Sequence, residues 1–342
     1  MRIAVDAMGG DHAPKVVVEG AVWAAQAWPS LQVHLVGREE SLRPLLERQP
    51  FLPRNLFLHH APEVAGMGDV PSHVLRRKPE ASINVAMRML RQGEVDAVVT
   101  AGNTGAAVAA ATYYLRTIPG VSRPGLAMVL PTLEGGKATG RVILMDVGAT
   151  VDCSPSQLCE FALMAGVYAH WVMDEASPRI ALLSNGEEEG KGNATLKRAY
   201  EMLQRMPLRF VGNVDAKDVL RGLADVIICD GFVGNVWLKG AEAAAEFLVM
   251  ALRRMLHRHW WARLGGLLLS PALRAFRREV DDREYGGALL LGVNGIVVIA
   301  HGRSDGRAIQ NAIRVAAEAV AKDVIGHIYS SLEKQGIAGE KA

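Results

Sequence analysis

Cysteine is scarce in this chain, and the common metal, nucleotide and hydrolase motifs are absent. The 342 residues include three cysteines, an odd and sparse count that argues against a disulfide framework and favours a reducing compartment. There is no Cys-x-x-Cys or His-Glu-x-x-His zinc spacing and no Gly-x-Ser-x-Gly elbow of a serine hydrolase. A Gly-x-Gly-x-x-Gly fingerprint after a strand is also missing, and Gly190-Lys191-Gly192 lacks P-loop spacing.

Long apolar runs and an excess of charge are missing as well. Residues 1–6 enter a strand directly, without the basic and then apolar pattern of a signal peptide. The longest apolar candidate, 289–300, is interrupted by two glycines and an asparagine, so no bilayer-spanning segment is expected. A net charge of +2, from 38 basic and 36 acidic residues, gives no global signature of nucleic-acid binding. We therefore expect a cytoplasmic protein that binds no nucleic acid.

What is present is an alternation of short apolar runs with helical segments. It predicts a doubly wound, largely parallel α/β sheet with helices on both faces, in one domain over residues 1–335. Runs 127–130 and 142–145 flank a Gly-rich turn and suit a hairpin, whereas 61–80 is expected to be irregular. Ligands of such sheets bind at the carboxyl ends of the strands. Because polar, Gly-rich loops follow most of the predicted strands, we expect these loops to border one shared cleft.

The segment 96–115 carries the strongest local signal for ligand binding. A β-branched run ends in a loop that contains Gly102, Asn103, Thr104 and Gly105, and an alanine-rich helix follows. Free backbone N–H groups at a helix N-terminus hold anions, and glycine lets a ligand approach the backbone closely. Asn103 and Thr104 would add side-chain donors. The same pattern also suits an ordinary strand-to-helix turn with an Asn or Thr cap.

Titratable and polar side chains stand close to the ends of other predicted strands. Aspartates there could bind a divalent cation or cap loops, and lysines could face an anion. Side-chain amides could donate to an oxyanion. Histidines could transfer a proton or serve as structural hydrogen-bond donors. Cys153 could accept an acyl group, but the sequence shows no base beside it, and a small buried side chain is the simpler interpretation. The other candidates are Asp6, Asp11, Asp146, Asp230, Lys191, Lys239, Asn185, Asn235, His12 and His301.

One segment breaks the alternation. Residues 247–278 contain no acidic residue and seven arginines, interleaved with leucine, methionine and tryptophan, while the rest of the chain has 31 basic against 36 acidic residues. A helix that lies on an anionic bilayer typically has an apolar face, arginines at the level of the lipid headgroups and tryptophans at the membrane–water boundary. We expect a protruding, basic amphipathic helical hairpin over 240–285; a dimer-packing hairpin with a solvated arginine face is the alternative. The predicted membrane contacts are Arg254, Arg258, Trp260, Trp261 and Leu264.

Six motifs in order resemble those of one known family. They are Asp6-Ala7-Met8-Gly9-Gly10-Asp11, Thr100-Ala101-Gly102-Asn103-Thr104-Gly105, Asp146-x-Gly148-Ala149, Gly186-x-Glu188-Glu189-x-Lys191-Gly192, Cys229-Asp230-Gly231-Phe232-x-Gly234-Asn235 and His301-Gly302. Together they resemble the PlsX family of acyl-ACP:phosphate acyltransferases over nearly the whole chain. Ser184 stands where the resemblance leads us to expect asparagine, and Arg303 stands where a small residue is common.

The resemblance implies an isopropylmalate-dehydrogenase-like or phosphotransacetylase-like fold and a homodimer at the membrane surface. It implies transfer of a long-chain acyl group from acyl carrier protein to inorganic phosphate, without cofactor or metal, to feed a downstream glycerol-3-phosphate acyltransferase. The catalytic candidates are Lys191, Asn235, His301 and His12. The candidates for binding phosphate or substrate are Gly9, Gly10, Asp11, Gly102, Asn103, Thr104, Gly105, Asp146, Gly148, Asn185, Gly186, Asp230, Gly231, Gly234 and Lys239.

This chemistry is compatible with the residues present. Phosphate is already a nucleophile at neutral pH, so positioning and electrostatic stabilisation supply most of the catalysis. Acyl carrier protein is acidic, and the basic residues Arg76, Arg77, Lys78, Arg88 and Arg91 are a candidate dock for it. Two alternatives remain open: an NAD-linked decarboxylating dehydrogenase on the related fold, and a non-catalytic membrane scaffold that recruits lipid enzymes.

Overall fold

The centre of the computed structural model, which describes residues 1–132, 140–258 and 286–335, is an eleven-stranded sheet. The strands are β1 (Arg2–Asp6), β2 (Gln32–Gly37), β3 (Leu56–His60), β4 (Ala97–Thr100), β5 (Gly125–Pro131), β6 (Arg141–Met145), β7 (Ile180–Ser184), β8 (Phe210–Asp215), β9 (Val226–Ile228), β10 (Ala288–Leu291) and β11 (Ile296–Ile299). Their order across the sheet is β3-β2-β1-β4-β11-β10-β5-β6-β9-β7-β8.

Helices follow most of the strands, as the alternating pattern predicts. They are α1 (Lys15–Ala27), α2 (Glu39–Glu47), α3 (Pro71–Arg77), α4 (Ser82–Arg91), α5 (Thr104–Leu115), α6 (Pro155–Val172), α7 (Ala194–Leu203), α8 (Gly231–Arg258), α9 (Gly306–Ala321) and α10 (Val324–Lys334). A 3₁₀ helix spans Ala216–Arg221. The segment 61–80 is not wholly irregular, because α3 lies within it. Pro71 at the first helical turn starts that helix, since its missing N–H needs no partner there.

Both faces of the sheet are buried. Ile3 and Val5 belong to one apolar cluster and Ala4, which points the other way, belongs to a second, and all three are fully buried. This is why the strands read as continuous apolar runs rather than as alternating ones. Buried residues of α1, α6 and α9 line the first cluster, and those of α4 and α5 line the second. The predicted doubly wound α/β sheet is confirmed.

The two halves of the sheet run in opposite directions. Strands β3, β2, β1, β4 and β11 are mutually parallel, and β6, β9, β7 and β8 are also mutually parallel. Between them, β10 and β5 form three antiparallel pairings, which reverse the direction once overall. The strand-end loops therefore leave the sheet in two groups rather than along one edge.

Strand β10 is the element that the sequence did not reveal. The interrupted apolar run 289–300 includes most of β10 and all of β11, which pair antiparallel through Leu289 and Val298. Gly292, with φ +95°, lies in the turn between them. The predicted hairpin of β5 and β6 is confirmed, with Ala127 opposite Met145.

Helix α8 is continuous over 28 residues and starts directly after β9. It begins nine residues before the predicted hairpin boundary at 240, so residues 240–258 continue a helix that starts in the motif after β9. Its distal turns expose large apolar side chains, among them Phe247 at 66% and Met255 at 68%. The rest of the predicted hairpin, including Trp260, Trp261 and Leu264, lies outside the described residues, as does the side chain of Arg258. Among the described helices, none is long and apolar enough to cross a membrane.

Two histidines pair at the β2–β3 edge of the sheet. Nδ1 of His34 lies 2.8 Å from Nε2 of His59, and the other ring nitrogen of His34 is buried without a hydrogen-bond partner among the described residues. Burial, then the charges of His59 and Arg2, lower the pKa of His34 to about 4. The folded state therefore keeps this imidazole neutral.

This pair predicts a loss of stability in mild acid. An unfolded histidine binds a proton near pH 6.5, whereas folded His34 does so only near pH 4, so the free energy of unfolding should fall as the pH drops through that window. Urea unfolding at several pH values should show a shallower fall for His34→Leu. The exposed His73 gives the matched control, and His73→Gln should follow the wild-type curve. Parallel curves for all three proteins would contradict the assignment.

Candidate active site

The first group of loops is organised by the carboxylate of Asp6. Asp6 is 3% exposed and accepts hydrogen bonds from Ser82 Oγ at 2.6 Å, Thr100 Oγ1 at 2.8 Å and the backbone N–H of Met8 at 3.2 Å. Burial raises the pKa of this carboxyl, and the hydrogen bonds oppose that rise. One buried side chain thus connects the ends of β1 and β4 with the start of α4.

Three Gly-rich loops meet around this carboxylate. A Cβ at Gly9 would lie 2.7 Å from the backbone nitrogen of Gly102, so only glycine permits this approach. The N–H of Asp11 donates to the carbonyl of Gly302 at 2.8 Å, and Gly10 has φ +115° beside that same carbonyl. The loops 101–105 and 301–303 therefore both contact the loop 9–11, as expected for a binding site.

Asn103 caps helix α5, and its side chain is fully engaged. Its Oδ1 accepts from the N–H of Ala106 at 3.0 Å, while its amide nitrogen donates to the carbonyls of Met67 and Asp69 at 2.7 and 3.1 Å. The N–H groups of Thr104 and Gly105 lie in the first helical turn, where the helix offers them no acceptor. The backbone at this end, rather than the Asn103 side chain, is what remains available to an anion.

The second group of loops is built on Asp146, which is completely buried. Its Oδ1 accepts from the N–H groups of Leu126, Gly148 and Ala149, each at 2.9 Å, and its Oδ2 from that of Thr150 at 2.6 Å. Burial raises its pKa, and these four donors work against the rise. With both oxygens occupied, the contacts favour a role in shaping the loop over direct contact with phosphate.

Helix α8 begins directly against the Asp146 loop. A Cβ at Gly234 would lie 2.0 Å from the carbonyl oxygen of Asp146, so no other residue fits there without moving the helix. The side-chain amide of Asn235 donates to the carbonyl of Val147 at 3.0 Å. Asp230 caps the helix by accepting from the N–H of Val233 at 2.7 Å. The residues of the motif 229–235 therefore form a close junction between helix α8 and the Asp146 loop.

The loop after β7 presents Lys191. Oδ1 of Asn185 accepts from the N–H of Gly192 at 2.9 Å and from the hydroxyl of Ser184 at 3.4 Å, which closes the loop. Lys191 is exposed, and its aliphatic stem packs against Gly186. The ammonium group of Lys191 makes no ion pair with the described residues. Ser184, where the family resemblance suggested asparagine, donates to a neighbouring side chain.

Glu242 of α8 contacts the loop after β11, which belongs to the first group of loops. Its Oε2 lies 3.2 Å from Nη2 of Arg303 and 3.6 Å from Nε2 of His301, both in the loop after β11. Since α8 rises about 1.5 Å per residue, it spans about 16 Å from Gly231 to Glu242. The helix therefore starts at the second group of loops and reaches the first.

Glu242 was not identified from the sequence, although its spacing from Asn235 and Lys239 places it on the same face of the helix. Asn235, Lys239 and Glu242 follow one another at intervals of four and three residues and so share one face of α8. Lys239 itself is exposed, as are His12 and Asp11 on the opposing loop, and none of these three side chains makes an ion pair within the described ranges. Ser82 was also missed, because it lies far along the chain from the loop that it supports.

Cysteine nucleophilicity and metal binding receive no geometric support. Burial, followed by the negative charge of Asp146, raises the pKa of Cys153 to about 12, which suppresses the reactive thiolate. Burial likewise raises the pKa of Cys229. The described part of the chain contains no cluster of three or more histidine, cysteine or acidic side chains that could hold a metal ion.

Known proteins resemble this chain over nearly its whole length. The family model described as fatty acid synthesis protein matches residues 1–327. Proteins named phosphate acyltransferase from Heliobacterium modesticaldum and Pelotomaculum thermopropionicum are 48% and 45% identical to this chain. The first alignment covers 96% of each chain, and the second covers 99% of this chain and 97% of the relative.

Solved structures show the same fold at low sequence identity. A phosphotransacetylase from Streptococcus pyogenes has a TM-score of 0.61 at 20% identity, over 95% of this chain and 94% of its own. The EutD phosphotransacetylase from Staphylococcus aureus has a TM-score of 0.58 at 18% identity, over 94% of both chains. These likenesses confirm the predicted phosphotransacetylase-like fold. Because the family model and the two relatives span nearly the whole sequence, the chain belongs to the fatty acid synthesis protein family, the PlsX family of phosphate acyltransferases.

Proposed function

We propose that this chain transfers an acyl group from acyl carrier protein to inorganic phosphate. The observation that carries the proposal is the meeting of the loops 9–11, 101–105 and 301–303 at the N-terminus of α5. Backbone N–H groups of Thr104 and Gly105 without helical acceptors, next to glycines that allow close approach, suit a compact anion such as phosphate. The relatives that match over nearly their full length are named phosphate acyltransferase, which supports an acyl group as the group transferred and phosphate as its acceptor.

The reaction needs positioning more than covalent chemistry. A phosphate oxygen attacks the thioester carbonyl, the new C–O bond replaces the C–S bond, and the proton of hydrogen phosphate ends on the departing sulfur. Holding the two reactants together and stabilising the oxyanion are the main contributions required of the protein. Lys191 supplies a cation, Asn235 is the candidate oxyanion donor, and His12 and His301 are the candidates for handling the proton.

Helix α3 supports docking of an acidic carrier. Arg76 and Arg77 are exposed on this helix, while Lys78 already pairs with Asp69 at 2.5 Å. Gly105 packs against this helix, since a Cβ there would lie 3.0 Å from Pro71. A carrier held by α3 would thus present its thioester close to the N-terminus of α5.

Helix α8 supports contact with a membrane surface and with a second copy of the chain. Its distal turns expose Phe247, Leu248 and Met250 at 66%, 65% and 53%, and the basic segment follows them. An apolar helical face next to arginines suits an anionic lipid surface, and a second copy could cover part of the same face. We place the enzyme in the cytoplasm at the membrane periphery, where a glycerol-3-phosphate acyltransferase can consume the reactive acyl phosphate.

Purified protein incubated with acyl carrier protein thioester and phosphate tests the activity directly. We expect release of carrier thiol that depends on phosphate, together with an acyl phosphate that hydroxylamine traps. Thiol release at an equal rate without phosphate would indicate a thioesterase and contradict the proposal. Reduction of NAD in the presence of a hydroxy acid and a divalent metal would support the dehydrogenase alternative.

Replacement of Lys191 tests the cation assigned to the phosphate. Lys191→Ala should lower kcat/KM for phosphate about 100-fold, the usual loss for a group that stabilises transition-state charge. Lys197 is also exposed and lies on the following helix α7, so Lys197→Ala is the matched control and should stay within about twofold of wild type. Equal activities of the two variants would remove Lys191 from the site.

Charge placed on the distal turns of α8 tests the membrane contact. Phe247→Glu with Leu248→Glu should reduce co-sedimentation with vesicles containing about 30% phosphatidylglycerol at least tenfold, because the apolar face would carry charge of the same sign as the lipid. Val211, exposed at 45% on β8, is the control, and Val211→Glu should bind as wild type does.

Light scattering on the same variants reports on the oligomer. Loss of a dimer in the double variant would assign the apolar face to a second copy. Unchanged vesicle binding in the double variant, or equal binding to neutral vesicles, would contradict the lipid contact.

A further inference from the structure

Of the two candidate histidines, only His301 has a defined set of partners among the described residues. The backbone N–H of Arg303 donates to Nδ1 of His301 at 3.2 Å. A neutral imidazole that accepts a hydrogen bond at one nitrogen carries its proton on the other. His301 is therefore held as the tautomer that presents an N–H at Nε2, which suits a hydrogen-bond donor to a substrate oxygen.

Glu242 faces that nitrogen from a different element. The 3.6 Å separation between Oε2 of Glu242 and Nε2 of His301 is longer than a hydrogen bond, so the carboxylate attracts the N–H without saturating it. The same oxygen is held at 3.2 Å by Arg303. The Glu242 side chain is 16% exposed, against 46% for His301. The carboxylate is thus fixed in place, while the imidazole remains accessible.

Both elements that meet here are anchored to the candidate active site. The loop of His301 and Arg303 is attached to the 9–11 loop through Gly302 and Asp11. Helix α8, which carries Glu242, is fixed at its first turn by the close contact of Gly234 with Asp146. The Glu242–His301 contact is therefore made between two elements that other contacts hold in place.

We propose that Glu242 is a positioning residue for the acyl transfer: it orients His301 so that the Nε2–H group donates to the oxygen on which negative charge develops. Arg303 holds the Glu242 carboxylate and aligns the His301 ring through its own backbone N–H. This inference rests on the proposed function. It assigns His301 to electrostatic stabilisation rather than to carrying the proton to sulfur.

Kinetics of Glu242 variants test the positioning role. Glu242→Gln should lower kcat about tenfold and leave KM for phosphate within about twofold, because the interaction assists the transition state more than the bound phosphate. Glu242→Asp keeps the charge and should recover part of the loss. Glu246 lies one turn further along α8, is exposed and makes no ion pair with any described residue, so Glu246→Gln is the matched control and should match wild type.

A double-mutant cycle with His301 separates this role from a purely structural one. If Glu242 acts through the imidazole, Glu242→Gln should have no further effect on kcat in a His301→Ala background. The thermal unfolding midpoint of Glu242→Gln should stay within about 2 °C of wild type, as expected for a largely surface ion pair.

Three results would overturn the inference: additive losses in the cycle, a changed KM with an unchanged kcat, or a wild-type kcat in Glu242→Gln. Each of these requires that the wild-type protein forms acyl phosphate. A wild-type protein without phosphate-dependent thiol release would instead refute the proposed function itself, so the two failures are distinguishable.

Discussion

The burial of strand-end carboxylates among backbone N–H groups is the interaction on which both groups of loops depend. The Asp146 carboxylate accepts hydrogen bonds from four backbone N–H groups, and the Asp6 carboxylate accepts them from two hydroxyls and one N–H. Each carboxylate is buried at a cost in solvation, and the loop around it is the arrangement that satisfies its oxygens. The glycines of the neighbouring motifs follow from this, because the backbone must approach closely to supply so many donors.

Once the loops are fixed, helix α8 determines how they combine. The reversal of strand direction at β10 and β5 sends the two groups of loops out of the sheet in opposite directions. A helix that starts at one group contacts the other through Glu242, and this contact connects the two groups of loops. The same helix continues into the exposed apolar turns, so one element contacts the strand-end loops and reaches the outer surface.

The sequence was sufficient for the fold class and for most strands, because fully buried parallel strands leave continuous apolar runs between polar loops. It did not reveal strand β10, because two short strands on either side of Gly292 resemble one interrupted apolar run in the sequence. Strand direction is a property of pairing rather than of composition, so the sequence did not reveal that the strand-end loops form two groups. The motif residues were identifiable, but Asn103 and Asp146 proved to be engaged with backbone groups, and Glu242 is visible only as a helical spacing from Asn235.

The unbroken ladder through the centre of the sheet limits how this enzyme can move. Strands β11, β10, β5 and β6 join the two halves by backbone hydrogen bonds, with Leu289 opposite both Val298 and Ala127. The halves are therefore not connected by a free linker, and opening them would require bending or breaking a hydrogen-bonded sheet. Substrates must then enter and leave through local displacement of loops and of α8, with the sheet serving as a rigid frame.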